Sequence, residues 1–235
     1  FEGVNLAPLY FIQMSESKQN VKDFYDTFTD NQKKIGVSVR HRLIFKKLKE
    51  IGLQSNSNVL EIGCGIGTVS TLIIPFINAG KFVGCDISPK SIELAKKFNP
   101  QKNASFICTD MTDFESEIKF DFVIFPDVLE HIPVEEHKAL FERISKYCSP
   151  NAKLLINIPE PNSLNFTRKN RPEQLQIIDQ SLSMQDLLNN TYPFGFQVHS
   201  IIPYAIHTNV NNYLSIVFIR NTEIKSLELV SKLKQ

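Results

Sequence analysis

The chain has 235 residues, of which 42% are apolar and 22% charged, and its formal net charge is +1. These values suit a globular protein burying its own core as one domain and exclude a disordered or fibrous chain. Acids and bases are interspersed, so there is no broad field to hold a polyanion by counterion release and no nucleic-acid partner is expected. No apolar run approaches the roughly 18–20 residues needed to cross a bilayer, so no membrane span is expected.

Residues 1–13 are apolar and precede Met14 and a polar stretch, and Leu9-Tyr10-Phe11-Ile12-Gln13 looks like a distorted protease-site tag, so this segment is set aside as a tag or leader. Cys64, Cys85, Cys108 and Cys148 form no C-x-x-C pair and read as reduced thiols of a cytoplasmic protein.

Across residues 21–53 apolar side chains recur at helical spacing, through Val21, Phe24, Tyr25 and Phe28 and then Val39, Leu43, Ile44, Leu48 and Ile51. Two amphipathic helices are predicted here, making a lid of residues 14–56 before a core of 57–235. Short β-rich runs follow at 58–62, 81–85, 105–108, 121–125 and 153–158, alternating with helical stretches such as 88–98 and 134–148. This alternation predicts a doubly wound α/β fold whose ligands bind at the carboxyl ends of parallel strands. Residues 159–195 break the alternation with a basic patch, Arg168-Lys169-Asn170-Arg171, and short helical patterns at 175–178 and 184–188; such an insertion roofs a site on the acceptor side. Runs at 196–202 and 213–219 add a hairpin-like pair of strands.

The strongest local signal is Val59-Leu60-Glu61-Ile62-Gly63-Cys64-Gly65-Ile66-Gly67-Thr68, a strand ending in an acid and opening into alternate glycines. Glycine there lets the backbone turn and approach a ligand closely. The NAD fingerprint G-x-G-x-x-G would want glycine or alanine where Thr68 stands. The pattern E-x-G-x-G-x-G, followed by Val83-Gly84-Cys85-Asp86-Ile87-Ser88, resembles the first two motifs of class I S-adenosylmethionine-dependent methyltransferases, and the resemblance runs from about residue 58 to 158.

The resemblance implies a mostly parallel seven-stranded Rossmann-like sheet and S-adenosylmethionine as cofactor, with S-adenosylhomocysteine as its product. It places Glu61, Gly63, Cys64, Gly65 and Gly67 against the methionine half, Asp86 on the ribose hydroxyls, Ile87 on the adenine, and Asp110 and Met111 on the adenine amino group and ring. A carboxylate suits two hydroxyls because it accepts several hydrogen bonds; the plainer alternative for Asp110 is that it caps a following helix. Asp127, and the lid residues Tyr25 and Arg40 beside Phe24, His41 and Arg42, join the cofactor set on the same ground, though Phe24 could be core and Arg42 surface.

Asp127-Val128-Leu129-Glu130-His131-Ile132 resembles the D-V-L-E-H-[IV] segment of small-molecule members of that family, and lacks the [DN]-P-P-[YF] of nucleic-acid amino-methyltransferases. His131 is the candidate general base for an acceptor hydroxyl, since its ordinary pKa lies near neutrality; the alternative is that Glu130 and His131 only brace the turn while alignment drives transfer. Glu130, Tyr192, Tyr204 and His207 are candidates for contacts to a small-molecule acceptor. The histidines show no metal-ligand spacing and the acids are too few for a magnesium site, so no metal is expected.

The insertion resembles a subset of bacterial methyltransferases of polysaccharide or secondary-metabolite pathways. The expected activity is methyl transfer to a small hydroxylated acceptor, with a nitrogen or carbon acceptor, an NAD-dependent oxidoreductase and an inactive cofactor-binding module as alternatives. A homodimer is compatible with this reading.

Overall fold

A computed structural model of the chain describes residues 18–220. The leader expected at 1–13 lies outside these residues, as do the first four residues of the lid and the last fifteen of the core. Helices α1 (Lys18–Ile35) and α2 (Val39–Glu50) come first, on the predicted apolar spacing. Helix α2 starts from Ser38, whose backbone N–H donates to Nδ1 of His41, so the imidazole fills the place a Glu or Gln usually takes in a capping box.

The alternating part follows as β1 (Val59–Ile62), α3 (Ser70–Ile73), β2 (Phe82–Asp86), α4 (Pro89–Phe98), β3 (Ala104–Cys108), β4 (Phe120–Pro126), α5 (Val134–Ser145) and β5 (Cys148–Pro159). Helix α4 begins with two start signals in the sequence: Ser88, whose side chain accepts from the Ser91 N–H, and Pro89 in the first turn. The insertion holds α6 (Pro161–Asn170) and α7 (Met184–Thr191), and the chain returns through β6 (Phe196–Tyr204) and β7 (Tyr213–Arg220).

The strands form one seven-stranded sheet in the order β3-β2-β1-β4-β5-β7-β6. Strands β1 to β5 pair in parallel, while β7 runs antiparallel to β5 and β6 antiparallel to β7. This is the mostly parallel sheet the sequence predicts. Neighbouring residues of one strand feed opposite cores: Val59 packs with Leu48, Ile73, Ile92 and Phe106 on one face, and Leu60 with Phe125, Phe141, Ile144 and Phe218 on the other. Strands buried on both faces read as continuous apolar runs. Chain order reverses between β1 and β4, so the crevice beyond their carboxyl ends is where such a sheet accepts a ligand.

Three local expectations need correction. Residues 175–178 are not helical; a 3-10 turn spans Pro172–Gln174, and the Gln176 N–H then donates to Oδ2 of Asp179 at 2.6 Å, a local bond that competes with a helix. Conversely, α6 occupies residues for which no helix was expected. Its N-cap is Glu160, whose carboxylate accepts from Ser163, with Pro161 in the first turn, and glutamate is outside the usual set of caps. The helical stretch expected at 134–148 also stops earlier, at Ser145, because Cys148 already pairs with Phe120 as the start of β5.

Candidate active site

The loop after β1 turns through three glycines of positive φ: Gly63 (68°), Gly65 (52°) and Gly67 (80°). A β-carbon on Gly63 would lie 2.3 Å from Cγ2 of Val128, and one on Gly65 would lie 2.9 Å from Nε2 of Gln32. The first glycine therefore seats the loop against the turn after β4, and the second admits the lid helix α1. Gly63, Cys64 and Gly65 line a cavity of about 890 Å³ that also takes in Glu61, Asp86, Ile87, Asp110, Met111, Tyr25, Arg40, Asp127, Glu130 and His131. Gly67 is absent from that wall. A β-carbon there would lie 2.4 Å from Nδ2 of Asn99, so glycine at this position lets the loop pack against the end of α4.

Acids stand at the ends of successive strands. Asp86 closes β2 and accepts from the Gly65 N–H at 2.8 Å and the Ser88 N–H at 2.9 Å. Burial pushes its carboxyl up to about 6, against the pull of those backbone donors. Glu61, only 1% exposed, takes the Ser70 hydroxyl at 2.6 Å, while its Oε1 has no hydrogen-bond partner among the described residues. Burial holds it at about 8. Asp110 caps no helix: it accepts from the backbone and hydroxyl of Thr112 in a turn and pairs with Lys18 of α1 at 2.5 Å. Burial opposes its ionisation, but Lys18 and Thr112 outweigh that and hold it at about 2. Met111 beside it is buried at a φ of 72°.

Helix α1 is pinned at its first residue by Lys18 on Asp110 and at its middle by Asp26, which accepts from the Ser88 hydroxyl. Tyr25 faces the cavity between them, its ring 6.1 Å from that of His131. Arg40 is already engaged: its Nε pairs with Oδ2 of Asp127 at 2.7 Å and its Nη1 donates to the Tyr213 hydroxyl at 2.6 Å. The expected partner, a cofactor carboxylate, would have to compete with Asp127. Arg42 points to solvent.

Beyond Asp127, itself at a φ of 55°, a 3-10 turn (Leu129–His131) carries two buried titratable groups. Nε2 of His137, on α5, clasps the Leu129 and Ile132 carbonyls, and Gln180 from the insertion bonds both the Glu130 backbone and the Ile132 carbonyl. Nδ1 of His131 donates to the Ile178 carbonyl and lies 3.2 Å from Oδ1 of Asp179, while Nε2 faces Oε1 of Glu130 at 3.8 Å. Burial works against a charged ring, but Glu130 and Asp179 more than offset it and raise His131 to about 9. A ring held this way keeps its proton at neutral pH, which bears against the expected role as general base. Burial likewise raises Glu130 to about 8 despite the nearby imidazolium, and its Oε2 has no hydrogen-bond partner among the described residues.

The other expected acceptor contacts fall elsewhere. Tyr192 is 49% exposed at the end of α7, and His207 is exposed in a turn at a φ of 54°. Tyr204 lies one layer back, accepting from Asn157 and stacked on Tyr213 at 5.7 Å. The cavity wall is instead completed by Tyr213 and Asn212 before and in β7, and by Gln176, Ile178 and Asp179 of the insertion.

A doubly wound sheet with a glycine loop at its reversal point and acids at the ends of β1 and β2 is the layout in which open α/β sheets hold nucleotide cofactors. Residues 59–151 match the family model described as a methyltransferase domain. Among curated relatives, a malonyl-[acyl-carrier protein] O-methyltransferase of Priestia megaterium is 33% identical over 100 residues, covering 43% of this chain and 35% of the relative. A trans-aconitate 2-methyltransferase of Enterobacter sp. is 27% identical, covering 52% of this chain and 46% of the relative. The matched stretch thus spans less than half the length of these relatives. Magnesium protoporphyrin IX methyltransferase from Synechocystis PCC 6803 with bound SAH superposes with a TM-score of 0.66 at 21% identity, covering 88% of this chain and all of that one. The N-methyltransferase NodS from Bradyrhizobium japonicum WM9, in complex with S-adenosyl-L-homocysteine, gives 0.65 at 15% identity, covering 85% and 100%. At these identities the likeness is one of fold. Among the described residues no helix is long and apolar enough to cross a membrane.

Proposed function

We propose that this chain is an S-adenosylmethionine-dependent methyltransferase that methylates an oxygen of a small hydroxylated molecule. The observation that carries the reading is one continuous cavity joining Glu61, Gly63, Gly65 and Asp86 to the buried group of Glu130, His131 and Asp179. The family match of residues 59–151 and the printed activity of the Priestia relative, an O-methyltransferase, support it.

The residues present fit the cofactor. Glu61 offers a buried oxygen with no other partner among the described residues, suited to an ammonium group. Asp86 retains lone pairs beyond its two backbone donors, suited to paired hydroxyls. Ile87 and Met111 supply apolar surface, and the glycine loop brings backbone close. S-adenosylmethionine, when bound, supplies an electrophilic methyl group on a sulfonium. The chain's own contribution is alignment: Tyr25 and the pinned lid close the cavity over both ligands, and the turn after β4 fixes the acceptor side. Holding two reactants in line can itself supply much of the acceleration. We assign His131 the part of a charged brace that orients Glu130 and ties down the insertion. The insertion's resemblance points to polysaccharide or secondary-metabolite chemistry as the setting.

The test is release of S-adenosylhomocysteine from S-adenosylmethionine across a panel of small hydroxylated compounds. Acceptor-dependent release, lost in Asp86→Ala, is the expected result; release with no acceptor in a panel of polyols, phenols and amino alcohols contradicts the oxygen-transfer reading.

A further inference from the structure

The acceptor end of the cavity has an unequal charge inventory. Three carboxyl groups, Asp127, Glu130 and Asp179, face two cations, Arg40 and His131. Both cations are committed. Arg40 is shared by Asp127 and the Tyr213 hydroxyl, and His131 gives its Nδ1 proton to the Ile178 carbonyl and Asp179. Lys18 and Arg143 also line the cavity; Lys18 is paired with Asp110 beside Glu136 of α5, and Arg143 stands two turns further along that helix, away from the turn that carries Glu130.

Glu130 is left over. It is 1% exposed and lines the cavity, one oxygen lies 3.8 Å from the imidazolium, and Oε2 meets no donor among the described residues. Oδ1 of Asp127 and Oε1 of Gln176 are further buried cavity-wall acceptors without a hydrogen-bond partner among the described residues, and the donor Nε of Arg40 on the same wall is spent on its ion pair with Asp127. A buried acceptor without a donor is costly, and a buried carboxylate more so, so this end of the cavity is completed by a ligand that brings N–H or O–H groups and a positive charge.

Resting on the methyl-transfer reading above, we infer that the acceptor carries a protonated amine that seats on Glu130, with its reacting hydroxyl beyond it. The amine is a handle and not the nucleophile, because an ammonium nitrogen has no lone pair to receive a methyl group. A ligand carboxylate at this position would join the carboxyl groups of Asp127, Glu130 and Asp179, while Arg40 and His131 are already engaged. Glu130 is therefore the residue that selects the substrate's charge, and Gln176 adds a second acceptor for its donors.

Tyramine, tyrosol and 4-hydroxyphenylacetate share a phenol ring and differ in ending as an ammonium, an alcohol or a carboxylate. Their affinity for the chain saturated with S-adenosylhomocysteine is measured by ligand-observed NMR, after titration has established that S-adenosylhomocysteine binds. Tyramine should bind about tenfold more tightly than the acid, with tyrosol between, and Glu130→Gln should erase the tyramine preference while leaving S-adenosylhomocysteine affinity unchanged. Retained S-adenosylhomocysteine binding shows that the variant is folded; if it is not, Gln176→Met should narrow the preference instead. Preference for tyrosol or the acid, equal binding, binding of none of the three, or a preference that survives Glu130→Gln overturns the inference while the methyl-transfer reading stands. Failure to bind S-adenosylhomocysteine removes that reading and this inference with it.

Discussion

Nδ1 of His131 lies 3.2 Å from Oδ1 of Asp179, which ties the turn after β4 to the insertion that follows β5. Both side chains are at least nine-tenths buried, and the same ring nitrogen donates to the Ile178 carbonyl. The insertion is thus held to the core by charge as well as by the bonds from Gln180. Breaking one side of a buried ion pair strands the other, at a cost of about 3–5 kcal/mol. His131→Ala and Asp179→Asn should each lower unfolding free energy by about 3 kcal/mol, and the double variant by clearly less than the sum. Urea denaturation of the four proteins measures this; strict additivity would mean the two groups do not act together.

Gly63 admits no side chain. Its φ of 68° and the 2.3 Å approach of a β-carbon to Val128 act together, and a left-handed non-glycine residue alone costs about 1–2 kcal/mol. Gly63→Ala should lower stability by more than about 2 kcal/mol and weaken S-adenosylhomocysteine binding. Val128→Ala in the same chain should recover part of both, leaving the backbone strain. Absence of any recovery would place the loss elsewhere.

Stability should fall as pH rises through the neutral range. Folded Glu61 and Glu130 are held at about 8, above the ordinary 4.5, and His131 at about 9, above the ordinary 6.5. Between pH 6.5 and 8 all three bind more protons folded than unfolded, so each loses stabilisation with rising pH, and His131 continues to do so up to about 9. His41 and His137 are shifted downward and act below pH 6.5, outside this window. The ligand-free chain should melt about 5 °C lower at pH 9 than at pH 6.5, and less so in Glu130→Gln. Scanning calorimetry across that range would contradict this by showing a rise.

Lys18→Ala gives a contrast. The pair with Asp110 is half exposed, and Thr112 holds the same carboxylate independently. Stability should change by less than about 1 kcal/mol, as for other surface pairs. A larger loss by denaturant unfolding would show that α1 depends on this contact.

The side of the cavity wall built from the ends of β1, β2 and β3 was legible in the sequence because it is local. Glu61, the glycines, Asp86 and Met111 sit at fixed offsets from short apolar runs, and strand ends place them in one crevice without further information. Gly67 alone of that set lies off the cavity wall, packed on Asn99 just past α4, 32 residues on. The acceptor side depends on contacts between distant segments. Asp179 reaches His131 only through the path of the insertion, and that path turns on a glutamate N-cap at Glu160 and a local bond from Gln176, neither of which is a strong sequence signal. Tyr204 and Tyr213 face each other across the β6–β7 pair, and strand register decides which one meets the cavity.

The most direct measurement is calorimetric titration of the purified chain with S-adenosylhomocysteine and, in parallel, NAD. One site of micromolar affinity for S-adenosylhomocysteine, weakened at least about tenfold by Asp86→Ala and with no response to NAD, is the predicted result. Binding of NAD without S-adenosylhomocysteine, or of neither, would contradict the assignment of this cavity to methyl transfer.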